Sequence, residues 1–316
     1  MHESLIESPR GCRQNIKTHL DTLRQLPFSA MGALYILISG AAFGLLPWFA
    51  HVSYDHGAEP LGMLTARFSI AALIMTGRHV LRRPSRPWPE RKLFVQLFLL
   101  GALGYSVQSA FYLYGMKRID ISLATVIFYM FPVFVVIASW MFFRHSPTRA
   151  MLLCLPVTVI GAVLTAGQVK SGSWTGILLM LSAAIWYTGY ILVSSRIVHI
   201  MGAPTSLMIV MIGAAVANLA LWSIQRFDMP NDATGWTAIT GAAVVSTILA
   251  MGLFFAGVSR IGPGEAAVLS TIEPVVSIGV GVIALDENLT PIRVIGAVLV
   301  LFGVTALAQF SRTTQN

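Results

Sequence analysis

The chain has 316 residues, of which 56% are hydrophobic and only 11% are charged, and its mean hydropathy is +0.75. A soluble domain ordinarily carries about 25% charged residues. This composition therefore excludes a water-soluble protein and predicts a multi-pass membrane protein. The net charge is +8, but the sequence contains no basic patch combined with a motif that recognises nucleic-acid bases, so nucleic-acid binding is not expected. The two cysteines imply no disulfide framework.

A polar, basic tail (residues 1–29) precedes ten apolar segments, and a short tail (residues 311–316) follows them. Each segment is close to the ~20 residues with which a helix spans a bilayer. The segments are continuous rather than alternating, which favours helices over barrel strands. We predict spans at about 30–52, 60–80, 93–115, 121–143, 149–167, 174–195, 204–225, 236–257, 264–285 and 291–310.

The basic residues are distributed unequally between the two sides of this topology. Fifteen of the 21 lysines and arginines lie in the two tails and the even-numbered links, five lie in the odd-numbered links, and Arg67 lies inside a span. Cytoplasmic loops carry the excess of positive charge. Both termini are therefore predicted to be cytoplasmic.

Two stretches of the chain are related to each other. Gly115–Pro132 reads GMKRIDISLATVIFYMFP, and Gly257–Pro274 reads GVSRIGPGEAAVLSTIEP. At a constant offset of 142 they share six identical positions: Gly115/Gly257, Arg118/Arg260, Ile119/Ile261, Ala124/Ala266, Val126/Val268 and Pro132/Pro274. Such an internal repeat decides the fold class.

Each half of the chain contains five predicted spans. Because five is odd, two equivalent halves must insert in opposite orientations. The sequence therefore predicts an all-α integral membrane protein with ten transmembrane helices. We expect two inverted five-helix repeats, residues 30–167 and 174–310, around a central cavity.

The matched prolines Pro132 and Pro274 are candidate hinges. A proline inside a span removes a backbone donor, and the freed carbonyl must find a partner or line a wet cavity. The alternative is a simple packing kink in each span.

Arg67 and Glu273 are the clearest ionisable residues inside spans, where a charge usually faces a cavity or a partner. Arg67 could bind a substrate carboxylate, pair with Glu273, or extend towards the membrane interface. Glu273 could carry a proton, hold an ammonium group, or serve as a protonated structural acid.

Polar and aromatic side chains are the other candidates for the wall of a cavity. Tyr105, Gln108 and Tyr112 follow one helix face at i, i+3 and i+7, and they could equally join neighbouring helices through hydrogen bonds. Their equivalents at the offset of 142 are less polar. The sixth span holds Trp186, Tyr187 and Tyr190 away from its ends, where an interface belt would lie. The full set of predicted substrate-binding residues is Arg67, Tyr105, Gln108, Tyr112, Tyr129, Trp186, Tyr190 and Glu273.

No motif for nucleotide hydrolysis, nucleophilic catalysis, haem or metal binding occurs in the sequence. The chain is therefore not expected to be an enzyme or to carry a cofactor or metal. Transport would draw its energy from an ion or substrate gradient.

The two five-span units, with the segments around Phe131-Pro132 and Glu273-Pro274, resemble the drug/metabolite transporter superfamily, in particular its EamA-type members. The run from Asp286 to Pro291, followed by a glycine-containing last span, is similar to the ending of that family. In the first half, His145 occupies the position that corresponds to Glu287, the acidic residue of this ending. The resemblance covers about residues 30–310 and implies export of amino acids, metabolites or drugs, or exchange of sugar phosphates or nucleotide sugars.

The sequence thus predicts a secondary active transporter of the bacterial inner membrane, which exports a small amphiphilic metabolite such as an amino acid by alternating access. The expected partners are that substrate and membrane lipid, with protons, a counter-substrate and a homodimer left open. An organophosphate exchanger and a non-transporting structural subunit are the alternatives. The first would need several basic residues inside spans, and only Arg67 is available.

Overall fold

The computed structural model describes residues 28–82, 88–116, 118–119, 124, 127–143, 146–166, 173–284 and 290–313. Across these ranges the chain is helical and forms no β-strand. The amino-terminal tail, His145 and most of the run from Asp286 to Thr290, all used in the sequence analysis, lie outside the described residues.

In the described part of the first half, seven α-helices and one π-helix have defined bounds. Its α-helices are α1 (Phe28–Gly44), α2 (Leu46–Asp55), α3 (Pro60–Leu81), α4 (Arg91–Leu99), α5 (Ser106–Met116), α6 (Phe131–Phe143) and α7 (Arg149–Ala166). A first π-helix (Leu100–Tyr105) joins α4 to α5 without a break.

The second half repeats this order. Its α-helices are α8 (Trp174–Met201), α9 (Ala203–Ile224), α10 (Ala233–Ala243), α11 (Ala250–Leu269), α12 (Glu273–Ala284) and α13 (Pro291–Thr313). A second π-helix (Val244–Leu249) joins α10 to α11, and a 3₁₀ turn (Ser270–Ile272) separates α11 from α12.

Within the described residues, seven helical runs are long and apolar enough to cross a membrane, and two shorter apolar helices lie at Phe131–Phe142 and Arg149–Leu164. The longest run, Ala233–Ala284, bends at Gly262, whose φ of +81° is not helical. Glycine tolerates this left-handed conformation, and Pro263 follows at a position where it needs no amide donor. These apolar helices confirm the prediction of an all-helical membrane protein.

We expected the two matched prolines to lie inside continuous helices, but each lies at the start of a helix. Pro132 is the second residue of α6 and follows a turn at Tyr129 and Met130, while Pro274 is the second residue of α12 and follows the 3₁₀ turn. The first turn of a helix leaves its amides unpaired, so proline is tolerated there. Each span therefore breaks just before its proline, and both prolines are buried.

Helices of the two halves pack against each other in an exchanged pattern. Helix α1 of the first half packs on α11 of the second, and α8 of the second packs on α5 of the first. The pairs α3 with α9 and α7 with α13 also join the halves. This exchange gives each half the same neighbours in the other, as a two-fold relation between repeats requires.

Glycines set the distance at these crossings. An ideal Cβ on Gly257 would lie 2.9 Å from the Gly32 carbonyl oxygen, and one on Gly115 would lie 3.5 Å from the Gly176 carbonyl oxygen. Gly115 and Gly257 belong to the repeated stretch, and Gly32 and Gly176 occupy the same place in the first helix of each half. Small residues allow such close approach of helices in membranes.

The two π-helices also occupy equivalent places, 144 residues apart. At each π-helix, a hydroxyl group donates to the backbone carbonyl five residues earlier in the chain. The Ser106 hydroxyl donates to the Gly101 carbonyl at 3.2 Å, and the Thr247 hydroxyl donates to the Ala242 carbonyl at 3.0 Å. At this offset of 144, Tyr105 corresponds to Leu249, whereas at the offset of 142 it corresponds to Thr247. The two offsets differ because the first half has two more residues between its π-helix and Gly115 than the second half has between its π-helix and Gly257.

Large apolar side chains cover the outside of the helical bundle. Leu73, Phe142, Ile224 and Ile283 are among the most exposed of them. Water would penalise such a surface, whereas the hydrocarbon of a bilayer is its natural solvent.

We predict that Gly213→Ala destabilises the protein, because an added Cβ would lie 2.1 Å from the Phe98 carbonyl oxygen at the α9 crossing. Overpacking of this kind costs about 1–3 kcal/mol. The matched control is Gly189→Ala in α8, where an added Cβ meets nothing within 4 Å. Thermal unfolding of the purified protein in detergent should show a lowered midpoint for the first variant alone. Equal midpoints would contradict the tight crossing.

Candidate functional site

Arg67 lies in the middle of the protein rather than at its surface. It belongs to α3, and its side chain is only 2% exposed. Its Nη2 donates a hydrogen bond to the Tyr105 hydroxyl at 3.3 Å, and its Cζ lies 4.7 Å from the centre of the Phe68 ring. In this arrangement the guanidinium is enclosed by other parts of the protein.

The Nε of Arg67 is buried and has no hydrogen-bond partner among the described residues. No described carboxylate forms an ion pair with this guanidinium. A buried charge without a counter-charge is costly, and an unpartnered buried donor adds to that cost. An arginine presents its donors as a planar fork that matches a carboxylate. The arrangement can therefore receive an anionic group from outside the chain.

Glu273 is the second ionisable group near the centre of the protein. It is partly buried and is the first residue of α12, where the partial positive charge of a helix amino terminus favours an acid. The Tyr129 hydroxyl hydrogen-bonds to its carboxylate, and Tyr112 and Tyr187 lie within electrostatic reach. A carboxylate held by a tyrosine hydroxyl can accept a cation or a proton.

Aromatic rings connect the surroundings of Arg67 to those of Glu273. We call this set the aromatic cluster, and its members are Phe68, Tyr105, Tyr112, Phe128, Tyr129, Phe131, Tyr187 and Tyr190.

The route from one charge to the other runs through three tyrosines in contact. The ring of Tyr105 lies 5.6 Å from that of Tyr190, which stacks at 6.0 Å on Tyr187. Tyr187 in turn stacks at 5.6 Å on Phe128. Rings from both halves of the chain therefore form one wall between a cationic and an anionic group. Such a wall suits an amphiphilic ligand, because aromatic faces bind apolar surface and attract cations.

Six of the eight predicted site residues come together in the structure, whereas Gln108 and Trp186 have other surroundings. Arg67, Tyr105, Tyr112, Tyr129, Tyr190 and Glu273 lie in or against the aromatic cluster. Gln108 is buried on the same helix face and accepts a hydrogen bond from the Ser109 hydroxyl at 3.4 Å.

Trp186 lies apart from this cluster. It is 43% exposed, its indole nitrogen donates to the Leu103 carbonyl at 3.3 Å, and its ring meets Phe111. Tyr190, four residues further along α8, is only 3% exposed. Trp186 is therefore exposed on the outside of the bundle, whereas Tyr190 lies in its interior.

Tyr187 lies in the sixth predicted span but is not among the predicted substrate-binding residues. It contacts Tyr190, Phe128 and Phe131. Its spacing of three residues from Tyr190 was an available signal. Phe68, Phe128 and Phe131 carried no such signal, because an apolar ring in an apolar span reads as ordinary packing.

Within the described part of the chain, no group of three or more His, Cys, Asp or Glu side chains could hold a metal ion. The polar groups in or against the aromatic cluster are the Arg67 guanidinium, the Glu273 carboxylate and the tyrosine hydroxyls.

The chain is similar to known proteins over most of its length. The EamA-like transporter family matches residues 30–167 and 174–309. The uncharacterized transporter YcbK of Bacillus subtilis is 24% identical over 294 residues, which cover 88% of this chain and 93% of that protein. An uncharacterized transporter of Synechocystis sp. is 24% identical over 205 residues, which cover 60% of this chain and 59% of that protein.

A solved crystal structure shares the fold. It superposes with a TM-score of 0.73 at 20% sequence identity, over 90% of this chain and 99% of the other. Because the family matches almost the whole chain in two successive copies, the chain belongs to the EamA-like transporter family of multi-pass membrane proteins.

Proposed function

We propose that the protein is a secondary active transporter that exports a small amphiphilic metabolite, such as an amino acid, by alternating access. The observation that carries the proposal is the buried, unpaired Arg67, separated from Glu273 by the aromatic cluster. The substrate carboxylate would accept from the Nε of Arg67, and the substrate ammonium group would lie near Glu273. The rings between them would bind the apolar part of the substrate.

The proposed mechanism requires two inverted five-helix repeats with ten transmembrane helices. Seven apolar runs are long enough to span a membrane, and Gly262 divides the longest of them into two, which gives eight. The two shorter apolar helices bring the number to ten. The exchanged packing of α1 with α11 and of α5 with α8 supports a two-fold relation between the halves. Breaks before Pro132 and Pro274 support their role as hinges beside the site.

The proposed orientation has both termini in the cytoplasm of a bacterial cell, and contacts between links support the topology. The link holding His56 meets the link holding Asn231, and the Ser173 amide donates to the Arg118 carbonyl at 3.4 Å. In each pair, the predicted topology assigns both links to the non-cytoplasmic side. The known relatives include bacterial transporters.

The proposed function also weighs against an organophosphate exchanger. A phosphate ester carries about two negative charges and is usually met by several basic side chains. Arg67 is the buried basic residue of the described core. A single guanidinium opposite a carboxylate fits a zwitterion better.

Glu273→Gln should lower transport of zwitterionic amino acids about tenfold or more, because the amide keeps the shape of the carboxylate but removes its charge. The measurement is counterflow of a panel of radiolabelled amino acids in proteoliposomes, with and without a proton gradient. Glu265→Gln, eight residues earlier, is the matched control and should transport at the parent rate. Unchanged, still proton-dependent transport by Glu273→Gln would remove Glu273 from the mechanism.

Replacing Arg67 should separate stability from activity. Arg67→Met removes a buried charge that has no carboxylate partner among the described residues, so we expect an unfolding midpoint equal to or above that of the parent, together with loss of transport. Arg67→Lys keeps the charge without the planar fork and should retain a minor fraction of the activity. Arg78→Met, at the exposed end of α3, is the control and should affect neither quantity. A structural role for Arg67 predicts the opposite result, a large loss of stability in Arg67→Met.

A non-transporting structural subunit is tested by the same panel. If no amino acid in it, and no related amine or carboxylic acid, raises the unfolding midpoint or exchanges across the membrane, the transport proposal fails.

A further inference from the structure

Two links from different halves of the chain meet at one end of the bundle. The first link, His56–Glu59, joins α2 to α3, and the second, Asp228–Asp232, joins α9 to α10. The His56 Nδ1 lies 2.6 Å from the Asp232 Oδ2. The Asn231 amide donates to the His56 carbonyl at 2.9 Å, and the Glu59 amide donates to the Asp228 carbonyl at 2.9 Å.

Asp232 has two functions in this contact. Its Oδ1 accepts from the Gly235 amide at 3.0 Å and thereby caps α10, while its Oδ2 faces His56. The Gly235 amide, and then the His56 imidazole, hold the pKa of this carboxyl below its usual range. A group of this kind contributes its stabilisation above its ordinary pKa and loses it only in strong acid. At neutral pH, His56 therefore faces an ionised carboxylate.

The close approach of the two links depends on glycines. Gly57 has a φ of +91°, and an added Cβ there would lie 2.2 Å from the Asn231 side-chain amide nitrogen. An added Cβ on Gly62 would lie 2.2 Å from the Asp228 carbonyl oxygen. The links therefore fit together through their backbones, and the His56–Asp232 contact adds a side-chain bond to that fit.

The repeat-related positions at the opposite end of the bundle do not reproduce this contact. At the offset of 144 that relates the π-helices, the positions equivalent to His56 and Asp232 are Ile200 and Trp88. An isoleucine and a tryptophan cannot form a His–Asp contact. The His56–Asp232 contact is therefore not repeated at these positions, and it favours closure at the end where it lies.

A small apolar group connects the two links to α3 and α10. Ala58 of the first link and Met63 of α3 pack against Ile239 of α10, and Tyr54 packs against this group. Tyr54 is also within electrostatic reach of Arg67 and Tyr112. Tyr54 therefore connects the apolar group at the links with the surroundings of Arg67.

We propose that the links His56–Glu59 and Asp228–Asp232 form a latch that closes one entrance to the aromatic cluster. Their separation opens that entrance in each transport cycle. The structure holds the latch closed, so it corresponds to the state that is sealed at this end. The inference rests on the proposed transport function, but its test needs no substrate.

The test measures opening through a buried reporter. Met63→Cys is introduced into a background with Cys12→Ser and Cys154→Ala, and the protein is placed in lipid nanodiscs. Met63 is 2% exposed beneath the latch, so its cysteine should react slowly with a water-soluble maleimide. The readout is the rate of modification of the peptide that contains position 63, measured by mass spectrometry.

His56→Ala should raise this rate about three- to tenfold, because the side-chain bond between the links is lost. Asp232→Ser should have a similar effect. Serine still caps α10 but is too short to reach His56. The double variant should be no faster than the faster single variant, since both remove the same bond.

The chain offers a matched control in a second His–Asp pair nearby. His51 and Asp55 lie 3.6 Å apart within α2 and join no two links. His51→Ala should leave the labelling rate unchanged.

A covalent latch separates gating from misfolding. In His56→Cys/Asp232→Cys, oxidation should slow labelling at position 63 below the parent rate, and reduction should raise it above that rate. Rates for His56→Ala and Asp232→Ser within twofold of the His51→Ala rate would overturn the latch. So would an oxidised pair that is labelled as fast as the reduced one. Either result would leave the proposed substrate site intact, whereas failure of the transport assays with a working latch would refute the proposed function alone.

Discussion

The hydrocarbon of a bilayer offers no hydrogen-bond partner, and this constraint governs the rest of the structure. Each backbone amide and carbonyl must be paired inside the protein, so the described segments are helices. Where a helix deviates, side-chain hydroxyls add hydrogen bonds to backbone carbonyls. Ser106 and Thr247 do so at the two π-helices, and Ser270 and Thr271 do so where α11 gives way to α12. The breaks before Pro132 and Pro274 lie in buried positions, away from lipid.

The same constraint explains why close packing replaces the hydrophobic effect between helices. Lipid tails are as apolar as leucine, so helices associate through fit and through polar contacts. Glycines provide the fit at the crossings of α1 with α11 and of α5 with α8. Serines provide the polar contacts, as where the Ser39 hydroxyl donates to the Ala250 carbonyl and the Ser246 hydroxyl donates to the Ala42 carbonyl, each at 2.7 Å. The glycines occur at both crossings, whereas these serine contacts both join α1 to the second π-helix and α11.

The chemical features of the proposed transport site are not repeated between the two halves. Arg67 belongs to the first half and Glu273 to the second, and the positions equivalent to His56 and Asp232 hold Ile200 and Trp88. A repeated scaffold can adopt two mirrored states of similar energy, and asymmetric charges bias the choice between them. Binding of a substrate that neutralises Arg67 would change that bias, since the guanidinium has no carboxylate partner among the described residues.

The sequence by itself determined the membrane class, the helical segments and the repeat, because composition, segment length and proline spacing are local properties that lipid selects strongly. It also identified Arg67 and Glu273, since a charge inside an apolar segment is visible without a structure. It did not determine which aromatic rings meet. Tyr187 and Trp186 are adjacent in the chain, yet one stacks in the core and the other is exposed, because the turn of α8 and the position of α5 decide which face is covered. The latch was equally invisible, since His56 and Asp232 are 176 residues apart and only the packing of α3 against α9 brings their links together.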